Sequence, residues 1–281
     1  MSKSVGNVLD PAELVNHYGA DYVRYFLASE FHFGNDGDFA HDAFCHRINL
    51  QLANELGNLA QRTLTMVQRS CAGAVPHPGV LTEEDQALLE AVDKTLDEVR
   101  GHLEVQAVKS ICDAVNVVAK LGNKYFDTQA PWLLAKHNPL RLQSVLYVMC
   151  ELLRQSAILL QPVMPSSCDH MLDQLGIPSD PTYRNFAALS ERIVPGTKIL
   201  TPRPVFPKVE APVVPVAKDP VAELEAAQLG ARLAMFDTFS AEDVTTKIAE
   251  VGMEIREKKL LKVSKEELKP LLQQLTYLKN R

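Results

Sequence analysis

Three groups of side chains in this chain have types and spacings that could do chemistry. Ser2, Lys3 and Ser4, followed by Gly6, place two hydroxyls and an ammonium on a short glycine-containing loop, and such a loop can bind phosphate oxygens. Asn54, Asn58 and Arg62 lie four residues apart, and Trp132, the one tryptophan, directly follows Pro131. At helical pitch the three polar groups share one stripe, opposite Leu52, Leu56 and Leu59. Indole, amide and guanidinium groups are the ones that stack on unpaired nucleic-acid bases and bond to their edges. Trp132 has a second reading, as a plug closing one end of a helical bundle. The third group is Arg256, Lys258, Lys259, Lys262 and Lys265, in a stretch from 251 to 281 with eight Lys or Arg against four Glu. A face of that kind contacts phosphates without reading sequence, or is simply solvated.

Other chemistries find little support. The eight histidines are scattered, and Cys168-Asp169-His170 has no second ligand pair, so no metal is expected. Five cysteines without a C-x-x-C pair favour reduced, buried thiols and a cytoplasmic setting. The net charge of −6 supplies no overall field for a polyanion, so nucleic acid must be met by local patches, and DNA is not an expected partner. Nor is a membrane: the longest apolar run, Val145 to Cys150, is far short of the roughly 20 residues a span needs.

The elements that must position these groups read as helices. With 46% hydrophobic residues in 281, the chain can bury a sizeable core and suggests about two domains. After a turn at Asp10-Pro11, one amphipathic helix is expected from about Ala12 to Ala28, with Asp21 and Arg24 as surface contacts. A second runs from Ala43 to Ser70, where Leu52, Leu56, Leu59, Thr63 and Met66 form a buried stripe. Thr82 caps the next helix, whose first turn carries Glu83, Glu84 and Asp85. Another spans Val105 to about Gln129, ending before Pro131, with Tyr125 and Phe126 in the core. Further helices follow from about Leu140 to Leu160 and from Ser166 to Leu175. Seven prolines between 195 and 220 exclude helix there and favour an extended strand or semi-rigid linker. Helical character returns from 221, ending in a basic hairpin joined near Val263-Ser264, with Ser264 and Glu267 as a capping box.

The opening "MSKSVGNVLDP" resembles the Lys-Met-Ser-Lys-Ser loop of class I aminoacyl-tRNA synthetases, short of its first lysine, and "GNVLDPAELVNHYGADYVRYFLASE" extends the likeness. "FGNDGDF", "LANELGNLAQR" and "QAPWLLAK" resemble the methionyl-tRNA synthetases among them. The resemblance runs from Met1 to about Glu210. It implies an all-α chain: activation loop and connector over 1–42, anticodon-binding helical bundle over 43–194, proline-rich linker over 195–220, and helical region with a basic hairpin over 221–281. By the same resemblance Ser2, Lys3 and Ser4 belong to the ATP loop. Lys3 would be catalytic, stabilising charge on departing pyrophosphate. Pro131 and Trp132 would pack on an anticodon base of the methionine tRNA, while Asn58 and Arg62 bond to base edges. The hairpin resembles the WHEP module of tryptophanyl, histidyl and glutamyl-prolyl synthetases, which implies general tRNA contact or docking of other synthetases or assembly factors. The implied activity is methionine-tRNA ligation, with ATP as substrate and magnesium in the complete enzyme. No His-Ile-Gly-His segment or Rossmann half is found in the sequence, so this chain alone is expected not to activate methionine. A standalone tRNA-binding or assembly module is the alternative.

Overall fold

A computed structural model of the chain describes residues 10–32, 34–35, 39–211, 233, 236, 240–261 and 265–279. Contacts divide the chain into two compact units, Met1–Pro212 and Val213–Arg281. Among the described residues the architecture is helical, and the only β-pairing is an isolated antiparallel bridge between Ala74 and Lys198.

The first unit opens with α1, Pro11–Tyr18, started by the Asp10 carboxylate, which accepts from the Ala12 amide at 2.8 Å, and by Pro11 in the first turn. The single helix expected over 12–28 is divided in two. Gly19 takes φ +86, ends α1 and starts α2, Ala20–Glu30, because only glycine enters that region without a steric penalty. The break turns Tyr22, Val23, Tyr25 and Phe26 into the core. Asp21 is buried too, contrary to its expected surface position: its carboxylate accepts from the Ser167 amide at 2.5 Å. Ser167 lies in the first turn of α9, Pro165–Gln174, where an anion complements the helix dipole. Arg24 ties the same region, donating to the carbonyls of Val163 at 2.8 Å and Pro162 at 2.7 Å.

The helix expected over 43–70 starts slightly earlier and changes pitch on the way. It comprises α3, His41–Arg47, a π-helical segment, Ile48–Gly57, and α4, Asn58–Ser70. Gly57 makes the wider turn possible, since a Cβ there would lie 2.9 Å from the Leu52 carbonyl oxygen and 3.2 Å from Phe206 Cβ. After the break at Cys71, Thr82 and Asp85 form a reciprocal capping box at the start of α5, Glu83–Glu104. Helix α6, Val108–Gln129, begins three residues later than expected, because Gln106 adopts φ +57 in the turn before it. A short α7, Pro131–His137, then leads into α8, Pro139–Leu160. Helices α5, α6 and α8 pack against one another. From Leu142 to Leu160 nearly every residue of α8 is buried, as befits a helix that is apolar almost all round and surrounded by protein.

Two 3₁₀ turns, Pro181–Tyr183 and Phe186–Ser190, follow α9. The buried Glu151 carboxylate holds the chain just beyond them, accepting from Arg154 and from the Ile193 amide. The proline-rich stretch up to Ala211 is extended and lies on the bundle: Val75 and Thr197 bond at 2.9 Å, Leu200 donates to the Gln174 carbonyl, and Phe206 is buried beside Gly57. Asn49 completes the attachment through both halves of its amide, donating to the Val209 carbonyl at 2.8 Å and accepting from its amide at 2.9 Å. In the second unit, α10, Ala241–Leu260, pairs with α11, Lys265–Lys279, around Phe236, Val251, Ile255 and Leu278.

Candidate nucleic-acid interface

The polar row begins where the pitch changes. Asn54 belongs to the π-helical segment and Asn58 opens α4; both are exposed, while Arg62 is half-buried one turn further on. On the opposite side Leu52, Leu56 and Leu59 are buried, so core packing fixes the rotation that turns the row outward. The Asn123 amide, from α6, donates to the Glu55 carbonyl at 3.1 Å and ties the π-helical segment to the bundle.

Arg62 meets the tryptophan through an intermediary. Its guanidinium lies 4.5 Å from the centroid of the Phe126 ring, a cation–π distance, and bonds the Asp127 carboxylate at 2.5 Å. Phe126 is buried, as expected, and its ring centroid is 6.4 Å from that of Trp132 at an interplanar angle of 46°. One buried phenyl ring therefore buttresses both the cation and the indole. Trp132 is 47% exposed, and neighbouring Leu133 is also exposed. The indole thus stands at the surface and does not plug the bundle; it lies in the first turn of α7. Pro131, expected to pack on a base beside Trp132, is instead buried at the first helical position, where its ring fixes the start of that turn.

The turn is strained. Ala130 adopts φ 45 and ψ 61, a left-handed conformation that costs a residue with a Cβ roughly 1–3 kcal/mol and persists only where the surroundings enforce it. The next residue toward the N-terminus, Gln129, accepts from Arg141 at 2.8 Å. Arg141, in the first turn of α8, forms a two-pronged pair with Asp85, whose side chain has no exposed surface. Tyr125 donates to the same carboxylate at 2.5 Å and the Thr82 amide does so at 3.0 Å. Burial alone would raise the Asp85 carboxyl, but the bonds from Arg141, Tyr125 and Thr82 hold it below the ordinary carboxylate value. Burial and the adjoining carboxylate push the Tyr125 phenol up. Sequence reading missed Asp85, Asp127, Gln129 and Arg141 as members of this neighbourhood, since pairings 12 to 65 residues apart leave no local signal.

The other expected site residues lie apart from this cluster. Ser2, Lys3 and Ser4 fall outside the described residues, as does Lys262. In the second unit Arg256 and Lys259 are exposed, and Lys258 bonds Glu254 at 3.0 Å. Lys265 opens α11. Its expected cap, Ser264, is not among the described residues. Among the described residues no three His, Cys, Asp or Glu side chains gather as a metal site, and no helix is long and apolar enough to cross a membrane. The first unit therefore presents an exposed indole, a guanidinium and two amides, a set suited to stacking and hydrogen bonding.

Comparison with known proteins agrees with that chemistry. A family model described as the anticodon binding domain of methionyl tRNA ligase matches residues 75–215, and another, described as tRNA synthetases class I (M), matches residues 1–64. A methionine–tRNA ligase of Mycobacterium tuberculosis is 46% identical over 222 residues, which cover 78% of this chain and 42% of that protein. The Brucella suis ligase is 46% identical over 213 residues, covering 75% of this chain and 41% of its own length. A solved structure of Mycobacterium tuberculosis methionyl-tRNA synthetase in complex with methionyl-adenylate superposes with a TM-score of 0.71 at 47% identity, over 74% of this chain and 41% of that one. The chain thus spans about two-fifths of the length of these relatives, matching the anticodon-binding model across half of its own residues, and it belongs to the methionyl-tRNA synthetase family.

Proposed function

We propose that the chain is the tRNA-binding part of a methionine-tRNA ligase, and that its first unit grips the anticodon of the methionine tRNA. The observation that carries the reading is the half-exposed Trp132 ring, backed by Phe126, which also backs the Arg62 guanidinium. Trp132, with Pro131 fixing its turn, offers a stacking face to a splayed anticodon base. Asn58 and Arg62 offer donors to base edges. The Asp127 carboxylate keeps Arg62 in place before RNA arrives. Stacking is sequence-tolerant and edge bonding is not, so the indole supplies affinity and the polar row supplies choice. Titrating the 281-residue chain with RNA stem-loops, one with the methionine anticodon and others with it changed, tests the reading. Preference for the methionine anticodon is expected; equal binding to all of them would sink it.

In the complete enzyme we assign Ser2, Lys3 and Ser4 to ATP, with Lys3 placed where charge develops on pyrophosphate. Loss of one such preorganised donor costs on the order of a hundredfold in rate. Lys3→Ala should therefore slow methionine activation by that order and leave tRNA affinity nearly unchanged, as read by methionine-dependent pyrophosphate exchange and by RNA titration. Magnesium would accompany ATP and is assigned no residue of this chain. We place the protein in the cytoplasm and assign Arg256, Lys258, Lys259, Lys262 and Lys265 to general tRNA contact or to docking of other synthetases or assembly factors. The second reading, a tRNA-binding or assembly module without chemistry, draws on the match of residues 75–215 to an anticodon binding domain.

A further inference from the structure

We infer that Gln129 and Arg141 are positioning residues for Trp132, clamping the two ends of α7 together so that the indole is presented in one orientation. Gln129 is the last residue of α6 and Arg141 lies in the first turn of α8. Their 2.8 Å bond closes an excursion of eleven intervening residues that contains Ala130, Pro131, Trp132 and the rest of α7. The anchor does not move with the excursion: Arg141 is held by both oxygens of Asp85, a fully buried carboxylate that is itself fixed by Tyr125 and by the Thr82 cap. Asn138 reinforces the far end, donating to the Leu134 carbonyl at 2.8 Å and accepting from the Arg141 amide at 3.1 Å.

Two features call for such a clamp. Ala130 is left-handed although it carries a Cβ, and a conformation of that kind relaxes unless its flanks are held. Trp132 is 47% exposed and its ring centroid lies 6.4 Å from that of Phe126, so one side of the indole is backed and the course of the backbone beneath it sets where the free side points. A guanidinium suits the anchor because its planar fork can grip a carboxylate with two donors and still offer one to the Gln129 side-chain Oε1.

The inference rests on the anticodon-reading proposal for what Trp132 does, and stands independently of it for how Trp132 is held. Since Trp132 is the chain's one tryptophan, its emission and anisotropy report the clamp directly, without RNA. Gln129→Met keeps the length and removes the acceptor while leaving the Asp85–Arg141 pair intact; Gln129→Glu keeps the acceptor. Gln129→Met should keep the wild-type circular dichroism and unfolding midpoint, lower the anisotropy of Trp132, and weaken binding of an RNA stem-loop carrying the methionine anticodon about tenfold. Gln129→Glu should restore both anisotropy and affinity. Wild-type anisotropy in a folded Gln129→Met chain would overturn the inference, as would equal losses in the Met and Glu variants. Reduced anisotropy in Gln129→Met, together with a wild-type chain that binds all the anticodon stem-loops equally, would support the clamp and reject the anticodon reading.

Discussion

Trp132 and Arg62 divide the proposed recognition between two kinds of force. The indole offers area and a π-face; the guanidinium offers direction, and its bond to Asp127 must be exchanged or shared when a base edge arrives. Trp132→Ala should weaken binding of the methionine anticodon stem-loop by roughly 1–3 kcal/mol, the usual worth of one stacked base. Because the side chain is half exposed, the unfolding midpoint should scarcely move, and equilibrium titration with parallel thermal melts would check both statements. The thiols make a contrasting case. Cys45, Cys112, Cys150 and Cys168 are buried and Cys71 is partly exposed. Burial pushes the Cys112 thiol up to about 12 and raises Cys71, Cys150 and Cys168 as well, so exposure sets Cys71 apart. A thiol reagent on the native chain should therefore reach Cys71 before the other four, which react only as the fold opens, as timed labelling and peptide mass mapping would show.

Helices carry these residues, and two places in them bear unusual demands. At Gly57 the π-helical turn brings the Leu52 carbonyl to within 2.9 Å of where a Cβ would stand. Alanine normally strengthens a helix by roughly 0.5–1 kcal/mol over glycine. Here the clash is with backbone, and Gly57→Ala should instead destabilise the first unit by about 1–3 kcal/mol, measured by urea unfolding. The other place is the junction of α5, α6 and α8 at Asp85. Its carboxyl is held below the ordinary value by the bonds from Arg141, Tyr125 and Thr82, which outweigh burial. A folded-state value below the unfolded one means the contribution is fully present above about pH 4, the unfolded carboxylate range, and is lost as pH falls through the lower folded value. Asp85→Asn should cost roughly 3–5 kcal/mol at neutral pH, since it leaves the Arg141 guanidinium without its partner. It should also flatten the acid limb of a plot of unfolding midpoint against pH.

Over the whole molecule the net charge is −6, so long-range attraction of RNA is weak and contact must be local. Binding of the stem-loop should accordingly weaken only modestly with added salt, because few phosphates are neutralised; a steep slope would point instead to the stretch from 251 to 281, with its eight Lys or Arg against four Glu. The described residues form helices without a sheet, and the chain spans about two-fifths of the relatives it matches. Under the proposed division of labour, the 281-residue polypeptide should bind RNA and show no methionine-dependent exchange of pyrophosphate into ATP. Exchange by the purified polypeptide would reverse that expectation.

Local rules were enough for much of this. The helical class, the Thr82 start, the end of α6 before Pro131 and the outward row of Asn54, Asn58 and Arg62 follow from periodicity, capping and proline stereochemistry, all of which act over a few residues. The family, too, was legible in short quoted stretches. Tertiary structure alone decided that Gly19 divides the first helix, that Asp21 is buried at the start of α9, and that Phe126 stands between Arg62 and Trp132. It alone joined Gln129 to Asp85 through Arg141. The physical reason is common to all four: each depends on which helix faces which, and the free energy of those contacts comes from burying surfaces far apart along the chain, which no local pattern of residues encodes.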